Sequence, residues 1–178
     1  KAESSSPSTR HPGRPKTDDI LFPVPEKPGD PGTDVLLALS LWDGEFRELK
    51  AASARPYARY PVHYDEGFSA LLPHLSVLKH LTMLLNLRAT AYLHVHRPDQ
   101  AFDDVMLGFR LADSLQTEPF LISQVVRVAY LTNLMPAVWE GLGARRWSDD
   151  QLAAFQKQLQ VIHLLPDYNR SLRTECAM

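Results

Sequence analysis

The segment between residues 55 and 64 carries the densest group of side chains that could bind a ligand. It interleaves cationic and aromatic residues: Arg55, Tyr57, Arg59, Tyr60, His63 and Tyr64. Aromatic faces stack on sugars and peptides and attract cations, and arginines pair with acidic groups. This loop is therefore the best candidate for binding a ligand or a partner. The structural alternative, which we favour, is that tyrosines cap one end of a bundle while arginines satisfy helix-terminal carbonyls.

A second candidate is a charged side chain in the apolar run 125–129. Arg127 stands in the middle of this run, and burying an unpaired guanidinium is strongly unfavourable. We expect Glu140 or Glu175 to supply the carboxylate that completes a buried polar cluster. Such a cluster could bind an anion or form an active-site pair, but a structural ion pair that fixes helix register is the favoured interpretation.

The histidines do not predict a metal site. His94 and His96 are two positions apart on a predicted helix, so they point in nearly opposite directions. His80 and His94 share a polar stripe, but the helix between them is about 21 Å long. The sequence also lacks the common nucleotide-binding, P-loop, zinc-protease and serine-hydrolase motifs. We therefore predict no metal, no cofactor and no catalytic residue, and an enzyme is the less favoured class.

Helices must position all of these groups. Apolar residues recur at three- and four-residue steps from Thr33 onward, which predicts helices over about 34–53, 67–96 and 98–115. Further helices are expected from the Glu118-Pro119 pair, kinked at Pro136, then from 149 and from about 167. Ser148 and Gln151 form a capping box that fixes the start at 149. No segment alternates with period two, so we predict an all-α fold of antiparallel helical hairpins.

Composition divides the chain into an arm and one domain. Residues 1–32 hold seven of the fourteen prolines, which predicts an extended proline-rich arm or linker before a helical domain at 33–178. Within the arm, an apolar patch could form a docking strand either on its own domain, which we favour, or on a partner. It comprises Ile20, Leu21, Phe22 and Val24. The arm as a whole is expected to be a tether or a passive tail.

The net charge and the hydropathy pattern argue against a nucleic-acid-binding protein and against a membrane-spanning one. A net charge of −2 and a pI near 6.4 lack the basic excess that nucleic-acid binding needs. Polar residues interrupt the apolar stretches 71–95 and 120–139, so we expect no membrane span within this chain. Cys176 is the only cysteine, so no intrachain disulfide can form. The cysteine count therefore does not distinguish a reducing cell compartment from an oxidising one.

Small and aromatic residues across the second and third predicted helices resemble those of a tetratricopeptide repeat. They are Ala89, Tyr92, Ala101 and Gly108, and the resemblance implies a tetratricopeptide-like bundle of closely packed hairpins. The segments 118–124 and 138–142 also resemble uncharacterised helical proteins of environmental bacteria. That resemblance implies a membrane anchor upstream of the arm and a tethered location in the cell envelope, with a cytoplasmic location as the alternative. The start at Lys1 is consistent with a piece of a longer product.

We therefore expect a non-catalytic protein-interaction or scaffold domain, acting as a subunit or tethered accessory of a larger assembly. A protein partner follows from this expectation. The alternative is a small-molecule sensor or enzyme with an interhelical polar pocket around Arg127 and Glu140.

Overall fold

Helices make up 73% of the described residues, which contain no strand. The computed structural model describes residues 22–177. Seven α-helices follow one another along this part of the chain: α1 Pro31–Leu39, α2 Asp43–Ser53, α3 Pro73–His94, α4 Pro98–Asp113, α5 Leu121–Gly143, α6 Asp149–Gln160 and α7 Leu164–Glu175. Short 3₁₀ turns lie at Ser40–Trp42 and Tyr64–Ser69. The predicted all-α class is confirmed.

Local signals set several helix starts. Pro73 and Pro98 occupy the first turns of α3 and α4. The N–H group that proline lacks would have no intrahelical acceptor at these positions, so no helix hydrogen bond is lost. Ser148 and Gln151 form the predicted capping box, so α6 begins at Asp149 as expected. The start of α3 differs from the prediction, because this helix begins at Pro73 and not near residue 67. Gly67 has a positive φ of 54°, which a helix cannot include.

The last helix also differs from its predicted bounds. α7 begins at Leu164 and includes Pro166, whereas we expected the helix to start near 167. A proline in the first helical turn is tolerated because the first four backbone N–H groups have no intrahelical acceptor. The preceding helix, α6, has already ended at Gln160.

The core lies where α3, α4 and α5 meet, and each of these helices packs against the other two. Ala89 and Ala101 are fully buried there. Gly108 lets α5 approach α4 closely, since a Cβ atom at this position would overlap the Leu134 side chain. Asn86 on α3 accepts a hydrogen bond of 3.2 Å from the Ala137 N–H, next to the proline within α5.

The arm is described only in part. Phe22 packs edge-on against Trp42 with ring centroids 5.3 Å apart, while Val24 is exposed. Ile20 and Leu21, the other members of the expected docking strand, lie outside the described residues, as do residues 1–19. The tether function of the arm therefore stays a prediction.

Candidate functional site

The loop between α2 and α3 splits into an inward-facing and an outward-facing set. Tyr60 stacks flat on His74, with ring centroids 4.3 Å apart, and its hydroxyl shares a hydrogen bond of 2.6 Å with Ser114. Tyr64 stacks on Phe120 at 5.8 Å. These contacts are those expected of tyrosines that close one end of a bundle.

The outward-facing set consists of Arg55, Tyr57, Arg59 and His63. Tyr57 is 90% exposed, so its ring is free to contact a ligand. Tyr57 and Arg59 line a cleft together with the two inward tyrosines, whereas Arg55 and His63 do not. The structure therefore brings four of the six predicted loop residues together.

Beneath Tyr60 lies a buried pair of titratable side chains. His74 Nε2 is 2.7 Å from Glu118 Oε1, and the two side chains are only 9% and 5% exposed. The contact is within ion-pair distance, and neither atom has another hydrogen-bond partner. His74 Nδ1 also has none. Ser123 Oγ donates a hydrogen bond of 2.5 Å to the other carboxylate oxygen of Glu118.

A proline-started helix, α3, and the connection that leads into α5 bring this pair together. His74 follows Pro73 in the first turn of α3, and Glu118 precedes Pro119 in the connection from α4 to α5. The positive end of the α3 dipole favours a carboxylate nearby. We did not predict either residue as part of a site. The available signal was a titratable side chain beside each of two prolines, Pro73 and Pro119, that lie at or shortly before a helix start.

The neighbouring phenols are neutral at physiological pH. Burial raises the pKa of Tyr60 above its usual value, although the hydrogen bond to Ser114 lowers it, and the Glu118 charge raises it further. Burial also raises the pKa of Tyr64, as does Glu118, against a lowering by Arg59. Both hydroxyls therefore act as hydrogen-bond donors or acceptors, not as anions.

These groups line an open cleft of about 320 Å³, at the small end of ligand sites. Its lining residues are Tyr57, Ala58, Arg59, Tyr60, Tyr64, Ser114, Thr117 and Glu118. The cleft thus has a carboxylate at a buried position, aromatic walls and an exposed cation, and we call it the tyrosine cleft.

No family model, curated protein or solved structure matches this chain. The tetratricopeptide resemblance stays a prediction.

Arg127 is buried as predicted, but its carboxylate partners are different from those expected. Its side chain is 1% exposed and lies 2.7 Å from Asp167 and 3.3 Å from Asp113. The expected partners were wrong. Glu140 is exposed on the same helix, where thirteen residues correspond to about 20 Å, and Glu175 accepts a hydrogen bond of 2.7 Å from the Leu121 N–H.

Arg127 and Asp167 are closed to solvent within this cluster, which joins three helices. Asp113 ends α4, Arg127 lies on α5, and Asp167 lies on α7. Arg170 adds a contact of 2.8 Å to Asp167 and donates a hydrogen bond of 2.6 Å to the Gln116 carbonyl. The arrangement fits the structural ion pair that the sequence favoured.

A second buried ion pair joins α3 to α4. Arg88 donates two hydrogen bonds to Asp104, of 2.7 and 2.5 Å, and lies 3.6 Å from the centre of the Phe46 ring. Burial raises the pKa of Asp104, while hydrogen bonding and the charge of Arg88 lower it. Asp104 thus uses Nε and Nη2 of Arg88, and Nη1 lies 3.8 Å from Asp43 Oδ1, which supports a structural role for the pair. Among the described residues, no group of three His, Cys, Asp or Glu side chains could hold a metal ion.

Helix α7 has an unusual orientation, because its buried residues are both polar. They are Asp167 and Ser171, whereas Leu165 is 77% exposed and Tyr168 and Leu172 are also exposed. Amphipathic helices normally turn their apolar side to the core. Here polar contacts attach the helix, and its apolar side faces solvent.

The exposed apolar residues of α7 adjoin others on α5. Asp167 pairs with Arg127 and Glu175 with Leu121, so the two helices are antiparallel. With this register, helical spacing places one set of exposed apolar side chains on the same side of the α5–α7 seam, away from α4. The set, which we call the α5–α7 face, comprises Val125, Val128, Leu165, Tyr168 and Leu172.

By length and composition alone, α5 is also apolar enough to cross a membrane. However, 44% of its most apolar window is buried inside the bundle, and Arg127, within that window, pairs with two carboxylates. A core helix accounts for the same composition.

Proposed function

We propose that this chain is a non-catalytic protein-interaction domain that docks an amphipathic helix of a partner protein on the α5–α7 face. The orientation of α7 carries the proposal. Burying a leucine-sized side chain stabilises a fold or complex by about 1.5–3 kcal/mol. A helix that leaves Leu165, Tyr168 and Leu172 in water forgoes this stabilisation until a partner covers them.

The shape of the face fits a helix. Antiparallel α5 and α7 form a shallow seam, and a third helix packs into such a seam with apolar residues at three- and four-residue spacing. The closely packed hairpin of α3 and α4, with Ala89 and Ala101 buried at its interface, supports a tetratricopeptide-like arrangement. Tetratricopeptide-like bundles bind extended or helical segments of other proteins along their helical surfaces.

The charges near the α5–α7 face indicate the charge expected of the partner helix. From Leu121 to Trp139, α5 has no charged residue except the buried Arg127. On α7 the exposed Arg173 lies about 80–100° around the helix from Leu165 and Leu172, whereas Arg170 lies on the opposite side and is paired with Asp167. The expected partner helix therefore has an apolar stripe flanked by Asp or Glu.

Fluorescence anisotropy with a labelled synthetic helix tests the proposal. The probe carries a leucine stripe flanked by glutamates, and a second probe carries lysines in place of those glutamates. The full chain is expected to bind the first probe with a dissociation constant of about 1–100 μM and the second at least about tenfold more weakly. Leu165→Ser with Leu172→Ser should weaken binding of the first probe at least about tenfold.

A matched control uses equally exposed apolar residues elsewhere. Val77 and Met83 lie on α3, away from the α5–α7 face, and replacing both by serine should leave the affinity unchanged. Equal loss in both double variants, or equal binding of the two probes, would contradict the proposal. Sedimentation of the chain alone as a stable dimer that Leu172→Ser dissociates would instead assign the face to a second copy.

The alternative function, a sensor or enzyme around Arg127 and Glu140, has less support. Arg127 is sealed from solvent by its two carboxylate partners, and Glu140 is exposed elsewhere on α5. Substrate could not reach the guanidinium without opening the bundle.

A further inference from the structure

We propose that a second cleft, between α2, α3 and α4, binds a free α-amino acid through its carboxylate and ammonium groups. Arg88 receives the carboxylate and Asp43 receives the ammonium group. The cleft is open to solvent, has a volume of about 410 Å³ and is lined by both of these residues, and we call it the Arg88 cleft. It shares no residue with the α5–α7 face, so its ligand does not depend on helix docking there.

Three helices build the Arg88 cleft. Asp43, Arg47 and Lys50 follow one another at four- and three-residue steps on α2, so they share one side of that helix. Arg88 comes from α3 and Asp103 from α4. The cleft therefore combines cationic and anionic side chains that separate helices hold in place.

The first argument is a fixed guanidinium group with an unused donor. Asp104 binds Nε and Nη2 of Arg88, and the guanidinium lies 3.6 Å from the centre of the Phe46 ring. These contacts restrict the planar group to one orientation. Nη1 makes no hydrogen bond within the described residues, and it is not among their solvent-sealed polar atoms, in contrast to Arg127 Nε. A carboxylate that enters the cleft can accept this N–H.

The second argument is an opposite charge beside that donor. Nη1 of Arg88 lies 3.8 Å from Asp43 Oδ1, beyond the usual hydrogen-bond distance of about 2.7–3.2 Å. The Asp43 side chain is 62% exposed, and only its backbone carbonyl accepts a hydrogen bond within the part of the chain described. An α-amino acid carries its two charges on one carbon atom, so a single molecule can bond to both groups. A ligand with one charge would be repelled by one of them.

The remaining charges of the lining are already compensated or screened. Lys50 Nζ pairs with Asp103 at 2.6 Å, so these two charges cancel. Arg47 is exposed and donates its Nε to the Asp43 carbonyl at 3.3 Å, and water and salt screen its charge. The Nη1 donor of Arg88 and the carboxylate beside it therefore determine the charge pattern of the ligand.

Three probes with the same side chain separate the two charges: L-valine, L-valinamide and N-acetyl-L-valine. The first is a zwitterion at neutral pH, the second keeps only the ammonium group, and the third keeps only the carboxylate. NMR shift titration of the full chain should show L-valine binding with a dissociation constant of about 1–10 mM, as expected for so small a ligand. Each of the other probes should bind at least about tenfold more weakly, because each leaves one protein charge without its partner.

Two variants of α2 localise the binding. Asp43→Asn keeps the shape of an exposed side chain and should weaken L-valine binding at least about tenfold, because the ammonium group loses its charged partner. Glu45→Gln is the matched control. Glu45 lies in the same first turn of α2 but does not line the cleft, so its replacement should leave the affinity unchanged.

Arg88→Met with Asp104→Leu removes the donor together with its buried partner, so no charge stays unpaired in the core. This double variant should abolish detectable L-valine binding. Its thermal melt shows whether it folds, and if it does not, the probe series and Asp43→Asn carry the test. The proposal is overturned if either one-charge probe binds as tightly as L-valine, if L-valine does not bind at about 20 mM, or if Glu45→Gln weakens binding as much as Asp43→Asn.

Discussion

Removing the carboxylate of Asp167 is expected to detach α7 from the bundle. Asp167→Ala leaves Arg127, which is 1% exposed, with Asp113 as its remaining carboxylate at 3.3 Å. Breaking a buried ion pair from one side costs about 3–5 kcal/mol because a charge stays buried without compensation. Asp113 is one-third exposed and already accepts a hydrogen bond from Gln158, so it compensates only in part. We expect a loss of about 3 kcal/mol in the free energy of unfolding.

The domain should stay folded after this loss, because domains of this size are stable by about 5–15 kcal/mol. Urea unfolding gives the total change, and amide hydrogen exchange shows where it acts. Exchange should rise throughout α7, Leu164–Glu175, well before it rises in α3 to α5, since α7 contributes only polar residues to the interior.

Two comparisons separate loss of the pair from loss of any carboxylate. Asp103→Ala breaks the exposed contact of Asp103 with Lys50 and should cost at most about 1 kcal/mol. Replacing both buried partners, as Arg127→Met with Asp167→Leu, should recover stability to within about 1 kcal/mol of the original chain. A loss below about 1 kcal/mol in Asp167→Ala, or unchanged exchange in α7, would refute the reasoning.

Three further predictions concern the core and its polar groups. Arg88→Met and Asp104→Leu should each cost about 3–5 kcal/mol alone and less than about 1 together, as measured by a double-mutant cycle, and simple additivity would contradict the pairing. Burial raises the pKa of Tyr60 in the fold above its unfolded value of 10.0, so the contribution of Tyr60 to stability is complete below pH 10 and falls as the pH rises above 10. Tyr60→Phe should flatten this fall in the free energy of unfolding. An unchanged slope against pH in the variant would exclude this role of Tyr60. Gly108→Ala should destabilise the chain by about 1–3 kcal/mol, because the added methyl group overpacks the contact between α4 and α5. Gly44→Ala, where nothing lies within 4 Å of the added atom, should stabilise the chain by about 0.5 kcal/mol. Equal melting temperatures of the two variants would contradict the close approach of α5 to α4 at Gly108.

Helix positions followed from the sequence where a few adjacent residues determine them. Pro98 at the start of α4 and the Ser148 capping box of α6 act within one turn, so the sequence predicts both. The burial of Arg127 was also predictable from its apolar neighbours. Its partners were not, because Asp167 is brought to it only by the antiparallel return of α7.

The candidate sites required tertiary information for the same reason. His74 and Glu118 are far apart in the chain and meet only when α3 and the start of α5 pack together. Periodicity gives α7 an apolar side but cannot say which side faces the bundle. Polar contacts of Asp167 and Ser171 decide this orientation and leave the leucines in solvent.

The central claim, helix docking on the α5–α7 face, is tested most directly by a hydrogen-exchange footprint of the glutamate-flanked helix on the full chain. At a saturating peptide concentration we expect new protection in residues 121–128 and 164–172, and little change in the loop 55–64 or in α3. Protection that falls on α3 or on the tyrosine cleft, or no added protection under saturation, would contradict the account.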